Sequence, residues 1–265
     1  MRVDEVILQH STRGMDILQK LHPKEHCKEA VEAFIKLEKG VVFLYTGFYV
    51  EGFAETDGPV GTYFLAKALN SLGYKSVVVT DMYCKDFFKE IETIYIPIEG
   101  HKTSYYKAIL EEYNPTCHFS IERCGRNVEG EYANMRGDRV SEFTAPLDDL
   151  FVLGSKTKPT FAIGDGGNEL GMGNFAKDVV EHLALNPCIV PSDYPIIATV
   201  SNWGAYGFIT YLDVNLLPSF EEVDEYLGFI VELGAVDGVS KKKEKTVDGK
   251  EWHIEEKILK SLAKV

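Results

Sequence analysis

The decapeptide Gly164-Asp165-Gly166-Gly167-Asn168-Glu169-Leu170-Gly171-Met172-Gly173 sets five glycines around two carboxylates and a carboxamide. Glycine tolerates positive φ and lets backbone come close to a ligand. Asp165, Asn168 and Glu169 supply oxygens that can hold a cation, orient an amine or move a proton. The apolar run Thr160-Phe161-Ala162-Ile163 comes first and reads as a buried strand. A strand that ends in a polar glycine loop is where α/β proteins place ligands. A tight turn would also use Asp and Asn, but it needs one or two glycines and no such density of acid.

Three further polar loops follow apolar runs. The first carries Glu55-Thr56-Asp57-Gly58-Pro59. Asp57 or Thr56 could be the N-cap of the next helix, yet a cap does not account for Glu55 and Asp57 together beside glycine. The second runs from Glu122-Arg123-Cys124-Gly125-Arg126-Asn127 to Asn134-Met135-Arg136-Gly137, and holds four of the six arginines in the chain (Arg123, Arg126, Arg136, Arg139). The planar guanidinium fits carboxylate or phosphate in a bidentate manner, so this density suggests capture of an anion. A surface ion-pair network is the alternative. The third is Ser201-Asn202-Trp203-Gly204, where Ser201 or Asn202 could cap a helix and Trp203 is more simply a packing residue.

Brought to one edge, these loops would form a pocket of carboxylates (Glu55, Asp57, Glu122, Asp165, Glu169), guanidinium groups and helix N-termini. Such an oxygen-rich set suits Mg²⁺, Mn²⁺ or Ca²⁺ better than Zn²⁺. Without a cation the carboxylates would repel one another and raise at least one pKa. No organic cofactor is expected. Gly171-Met172-Gly173-Asn174-Phe175-Ala176 formally fits the dinucleotide pattern G-x-G-x-x-A. It stands too far from the strand, and Asp165 and Glu169 would repel a pyrophosphate. Five cysteines without a Cys-x-x-Cys pair read as reduced buried thiols; Cys124, among arginines, is a minority candidate nucleophile.

The elements that must position these residues alternate. Residues 3–38 read as two helices. From Val41 the pattern becomes strand (41–45), helix (59–72), strand (76–80), a helix around Phe87-Phe88, strand (94–96), helix (105–113) and strand (116–121). Segment 122–150 is irregular, with a helix near Pro146–Phe151. The alternation resumes with strand (161–164), helix (175–185), strand (196–200) and helix (203–212). Ser219-Phe220-Glu221-Glu222 is a capping box for a helix to Leu233, Asp248-Gly249 a hairpin turn, and the last dozen residues an amphipathic helix. The expected fold is a single α/β domain over 1–265. A mostly parallel twisted sheet is flanked by helices, with a helical segment at 1–38, a core at 40–215 and C-terminal helices and hairpin at 216–265.

Composition narrows the partners. The formal net charge of -13 argues against a nucleic-acid partner. No apolar run is long enough to cross a bilayer, and residues 1–5 lack a secretory h-region; a cytoplasmic protein is expected. A homo-oligomer is left open.

The chain resembles the D-glutamate cyclase family over about residues 40 to 215, specifically its C-terminal domain. The resemblance rests on Thr46-Gly47-Phe48, Glu55-Thr56-Asp57-Gly58-Pro59, Glu122-Arg123-x-Gly125-Arg126-Asn127, Asn134-Met135-Arg136-Gly137, Pro146-Leu147-Asp148-Asp149-Leu150-Phe151, the 164–173 decapeptide and Ser201-Asn202-Trp203-Gly204-Ala205-Tyr206. It implies a hydro-lyase interconverting D-glutamate with 5-oxo-D-proline and water. On that basis Asp57, Glu122, Asp165 and Glu169 are expected to be catalytic, with Glu55, Asp57, Asp165 and Glu169 toward a divalent metal. Arg123, Arg126, Asn127, Arg136, Gly166, Gly167, Asn168, Ser201 and Asn202 are expected to bind a small anionic, amino-acid-like substrate. Two other readings stay open: a nucleotide-binding α/β enzyme, and a non-catalytic module binding metal or amino acid.

Overall fold

The computed structural model describes residues 1–265. Three short helices, α1 (Val3–Val6), α2 (Met15–Leu21) and α3 (His26–Phe34), precede the first strand. Strand β1 (Val41–Tyr45) leads through a small hairpin, β2 (Tyr49–Val50) and β3 (Phe53–Ala54), into α4 (Pro59–Ser71). Then follow β4 (Lys75–Thr80), β5 (Glu92–Tyr95), α5 (Thr103–Tyr113), β6 (Cys117–Ile121), α6 (Leu147–Gly154) and β7 (Thr160–Gly164). One helical turn, α7 (Ala176–Asp178), precedes β8 (Tyr194–Ile197) and α8 (Ser201–Asp213). Helices α9 (Phe220–Leu233) and α10 (Trp252–Leu262) finish the chain.

The main sheet has six strands, all parallel, in the order β5-β4-β1-β6-β7-β8. From β1 the chain builds outward on one side, then returns to build β6, β7 and β8 on the other. The strand order reverses between β1 and β6, and their carboxyl ends open a crevice there.

Both faces of the sheet are covered, so the strands read as continuous apolar runs whose side chains alternate between two cores. Val42 and Leu44 of β1 join the larger core with Val78, Phe119, Phe161 and Ile163; helices α1, α3, α4, α8, α9 and α10 pack there. Phe43 and Tyr45 join the smaller core with Val77 and Val79 under α5 and α6.

Several elements differ from the sequence expectation. The N-terminal segment forms three helices, because Gly14 at φ 83° and Pro23 break it twice. No helix forms around Phe87-Phe88; a 3-10 turn at Met82–Cys84 is followed by turns, and both phenylalanines are buried as single anchors. Residues 175–185 give one α turn and then a π turn at Val179–Leu183 that ends on Ala184 at φ 54°. Strand β8 stops at Ile197, and α8 starts at Ser201. The capping box at Ser219 and Glu222 is present. Asp248 (φ 55°) and Gly249 (φ 64°) make the tight turn that joins Val247 to Lys250.

Candidate active site

The crevice lies between the loops that leave β1, β6 and β7. Asp57, Glu122 and Asp165 meet there, one carboxylate oxygen of each lying within 4.8 Å of the others. All three are buried. Glu122 and Asp165 line a cleft of about 400 Å³ together with Arg13, Glu55, Asn168 and Arg136, and Asp57 adjoins these two acids without lining it.

Each acid is fixed by the backbone around it. Asp57 does not cap its own helix. Its Oδ2 accepts from the Ser201 amide and its Oδ1 from the Asn202 amide, both at 2.8 Å, so it caps α8. In return Asn202 Oδ1 accepts from the amides of Gly58 (3.0 Å) and Gly61 (2.7 Å) at the start of α4. The two helices thus cap each other across the crevice, and the positive ends of both point at the acids. Gly58 makes this approach possible: it lies at φ 89°, and a Cβ there would stand 2.7 Å from that of Glu122.

Glu122 sits at φ 46°, in the left-handed region that non-glycine residues rarely enter. Such strain persists where the surroundings enforce it, and it gathers at functional sites. Here Ser201 Oγ donates to Glu122 Oε2 at 2.6 Å. Asp165 Oδ2 accepts from Arg13 Nη1 at 2.6 Å, while Arg13 Nη2 reaches Asp248 Oδ1 at 2.6 Å. Glu55 faces the cleft beside Gly238, its side chain buried and free of any hydrogen bond.

Burial dominates the electrostatics. It pushes the Asp57 carboxyl up to about 8, with the nearby Asp248 charge adding and the α8 amides opposing. Burial likewise holds Glu55, Glu122 and Asp165 well above the ordinary carboxylate range, reinforced by their acidic neighbours. A cluster that resists ionisation in this way fits a divalent cation, which would favour the charged forms and accept hard oxygen donors.

Other expected residues lie elsewhere. Glu169 is buried, but its oxygens accept from the Gly166 and Gly167 amides at 2.7 Å each, so it shapes the glycine loop and stands outside the acid trio. The same bonds consume the two amides expected to serve a ligand. Arg123 is fully buried and spent on structure: it donates to Gly47 O (2.6 Å), Asp81 Oδ2 (2.6 Å) and Ala145 O (2.7 Å). Arg126 faces a different cavity and pairs with Asp149 at 2.6 Å. Asn127 there accepts from the amides of Glu129 and Glu131. Ser201 and Asn202 are buried among the acids and helix ends and do not line the cleft. Asn168 and Arg136 do line it, and Asn168 Nδ2 also donates to Ala133 O.

Neither of the two minor readings of the sequence gains support. Cys124 is buried, and burial raises its thiol well above the ordinary value, Arg123 notwithstanding, which disfavours a thiolate. The glycines of the G-x-G-x-x-A stretch cannot cradle phosphate, because the Gly171 and Gly173 amides both donate to Val190 O. Lys241 reaches the cleft rim, where it pairs with Glu51.

Sequence reasoning missed Arg13 and Asp248. Arg13 belongs to no motif, Asp248 was read only as half of a hairpin turn, and each comes from outside the 40–215 core. The one available signal was that Arg13 is one of only two arginines beyond the 123–139 cluster.

No helix is long and apolar enough to cross a membrane. Among solved structures, RecJ in complex with Mn²⁺ from Thermus thermophilus is similar at 14% identity, with a TM-score of 0.39, over 81% of this chain and 25% of that one. An exopolyphosphatase-related protein from Bacteroides fragilis is similar at 12% identity, with a TM-score of 0.46, over 90% of this chain and 56% of that one. The human protein named D-glutamate cyclase, mitochondrial, is 29% identical over 86% of this chain and 46% of its own length, so the chain spans about half of that relative. Residues 3–263 match the family described as D-glutamate cyclase-like, C-terminal, and the chain belongs to that family.

Proposed function

We propose that the crevice is the reaction centre of a D-glutamate cyclase-like hydro-lyase, interconverting D-glutamate with 5-oxo-D-proline and water. One observation carries the reading: Asp57, Glu122 and Asp165, distant in sequence, converge as buried carboxylates where the strand order reverses. Family membership supplies the substrate class.

In ring closure the α-ammonium gives up two protons, the nitrogen bonds to the γ-carboxyl carbon, and one carboxylate oxygen leaves with those protons as water. A base must take the first proton and an acid must deliver protons to the departing oxygen. Glu55 fits both duties. It lines the cleft, its carboxyl is bonded to nothing, and burial first, then Asp248 and Asp57, hold it well above the ordinary carboxylate range, which favours a carboxyl that can both give and take a proton. Asp57, Glu122 and Asp165 would hold a divalent cation, Mn²⁺ or Mg²⁺ by donor type, with Glu55 alongside. When bound, that ion supplies Lewis-acid neutralisation of the carboxylate that must become an electrophile. Asn168 and Arg136 line the same cleft and orient the substrate's polar groups. Glu169 fixes the loop that carries Asp165.

The test is to incubate the protein, loaded with Mn²⁺ or Mg²⁺, with D- and L-5-oxoproline and to measure glutamate. Glutamate is expected from the D enantiomer, and its formation should stop with a chelator. No glutamate from either enantiomer, with either metal, overturns the reading.

A further inference from the structure

The cleft gathers five buried carboxylates: Glu55, Asp57, Glu122, Asp165 and Asp248. Among them stands one guanidinium, Arg13, whose side chain is 20% exposed and lines the cleft. Its fork is divided between two acids, Nη1 on Asp165 and Nη2 on Asp248, each at 2.6 Å. The three residues come from the N-terminal segment, the β7 loop and the C-terminal turn.

The two partners differ. Asp165 belongs to the acid trio, and the oxygen it offers Arg13 sits on the carboxylate that a divalent cation would also draw on. Asp248 stands outside the trio. Its turn is tied down by Asp237, which accepts from the Gly249 amide at 2.8 Å. Its second oxygen, Oδ2, is buried without a partner. Asp248 Oδ1 holds Nη2 without help from Asp165, so Asp248 can keep the guanidinium when Asp165 is otherwise engaged. The freed edge of the fork would then face the cleft, with the planar donor geometry that suits a carboxylate. The other candidates for this duty are poorly placed. Arg123 and Arg126 are committed to distant partners, and Arg136 and Lys241 are exposed at the rim.

We propose that Arg13 recognises the ligand's carboxylate, exchanging Asp165 for that carboxylate once a divalent cation claims Asp165, while Asp248 holds the guanidinium in place. The ligand's identity rests on the cyclase reading. D-glutamate and 5-oxo-D-proline both carry the α-carboxylate, so one guanidinium serves both directions of the reaction. Arg13 is then both competitor of the cation in the ligand-free protein and its partner in the ternary complex.

The proposal is tested by calorimetric titration of the full chain, first with Mn²⁺ and then, on the Mn²⁺-loaded protein, with 5-oxo-D-proline and with 2-pyrrolidinone, the same ring without the carboxylate. Wild type is expected to prefer 5-oxo-D-proline. Arg13→Gln should bind Mn²⁺ several-fold more tightly, lose tenfold or more in affinity for 5-oxo-D-proline, and bind 2-pyrrolidinone as before. Arg13→Lys keeps the charge but not the fork; if the glutamine variant fails to fold, the lysine variant should still show the selective loss for the carboxylate ligand. Weaker Mn²⁺ binding in folded Arg13→Gln overturns the proposal. So does unchanged affinity for 5-oxo-D-proline in either folded variant, or a wild type that does not distinguish the two rings. Turnover is read separately: carboxylate-dependent binding without turnover removes the cyclase reading and leaves the assignment of Arg13 standing.

Discussion

Asp165 and Arg123 show how differently two buried charged residues can serve. Asp165 is held by a single side chain, Arg13, and faces the cleft. Asp165→Asn keeps the shape, removes the charge and leaves the backbone bonds of the loop untouched. It should abolish turnover and weaken Mn²⁺ binding while the fold survives. Glutamate formation at the wild-type level in that variant contradicts the role given to Asp165. Arg123 instead ties the loop after β1, the Asp81 carboxylate and the segment leading to α6 into one node. Removing one partner of a buried ion pair leaves an uncompensated charge and costs about 3–5 kcal/mol. Arg123→Met should lower the unfolding free energy measured in urea by that amount, with no change in KM for protein that remains folded. A selective rise in KM at undiminished stability would return Arg123 to the ligand site. The glycine loop announced Asp165 in the sequence, because glycine density and acid are unusual together. Arg123 was misassigned because sequence shows that a guanidinium is present, and not which carbonyls will surround it.

At the scale of elements, the mutual capping of α4 and α8 fixes Asp57. Helix α4 opens with Pro59 in its first turn and α8 with Ser201, and each borrows its cap from the other's loop. The two helices approach closely at Gly61, where a Cβ would stand 2.8 Å from the Cα of Asn202. Backbone cannot yield there as a flexible side chain would. Gly61→Ala should therefore wedge the helices apart, at a cost of about 1–3 kcal/mol. Because Asp57 would lose its α8 amides, Mn²⁺ affinity should fall too. Urea unfolding and Mn²⁺ titration of the variant measure both; wild-type values in both would show that the helix junction does not position the acid. The alternation of strand and helix was legible, since each core strand is an apolar run ending at glycine or a polar loop. The capping partners were not. A cap supplied 144 residues away looks in sequence like a cap for the adjacent helix. The segments at 82–90 and 173–183 form only turns, although in the second Phe175, Val179 and Leu183 recur at helical spacing.

The molecule as a whole places its terminal segments over the crevice of its central sheet. Arg13 and Asp248 meet across 235 residues of chain, and Val236 pairs with Glu55 as an added bridge beside the hairpin. No local pattern encodes such a contact, and this is why a site drawn only from residues 40–215 stopped short of Arg13 and Asp248. The shared burial of the acids also gives a global signature. A carboxyl whose folded pKa lies above its unfolded value stabilises the fold at low pH and ceases to do so as pH rises through the folded value. Asp57 moves from an ordinary 3.8 to about 8, and Glu55, Glu122 and Asp165 shift in the same direction. The chelated protein should thus lose thermal stability between about pH 4 and pH 8, at up to about 1.4 kcal/mol per pH unit for each group titrating. Mn²⁺ should oppose the loss, because it favours the ionised forms. A melting temperature that is flat across this range in chelator, or unmoved by Mn²⁺ at pH 8, would contradict the electrostatic account.

The claim beneath all of these is that Asp57, Glu122 and Asp165 share one cation. Anomalous diffraction from crystals soaked in Mn²⁺ addresses it directly. The account predicts a peak bounded by oxygens of these three side chains, at about 2.0–2.6 Å from each. A crevice without a peak, with manganese found only at the exposed Asp178, Glu181 and His182 group, would contradict it.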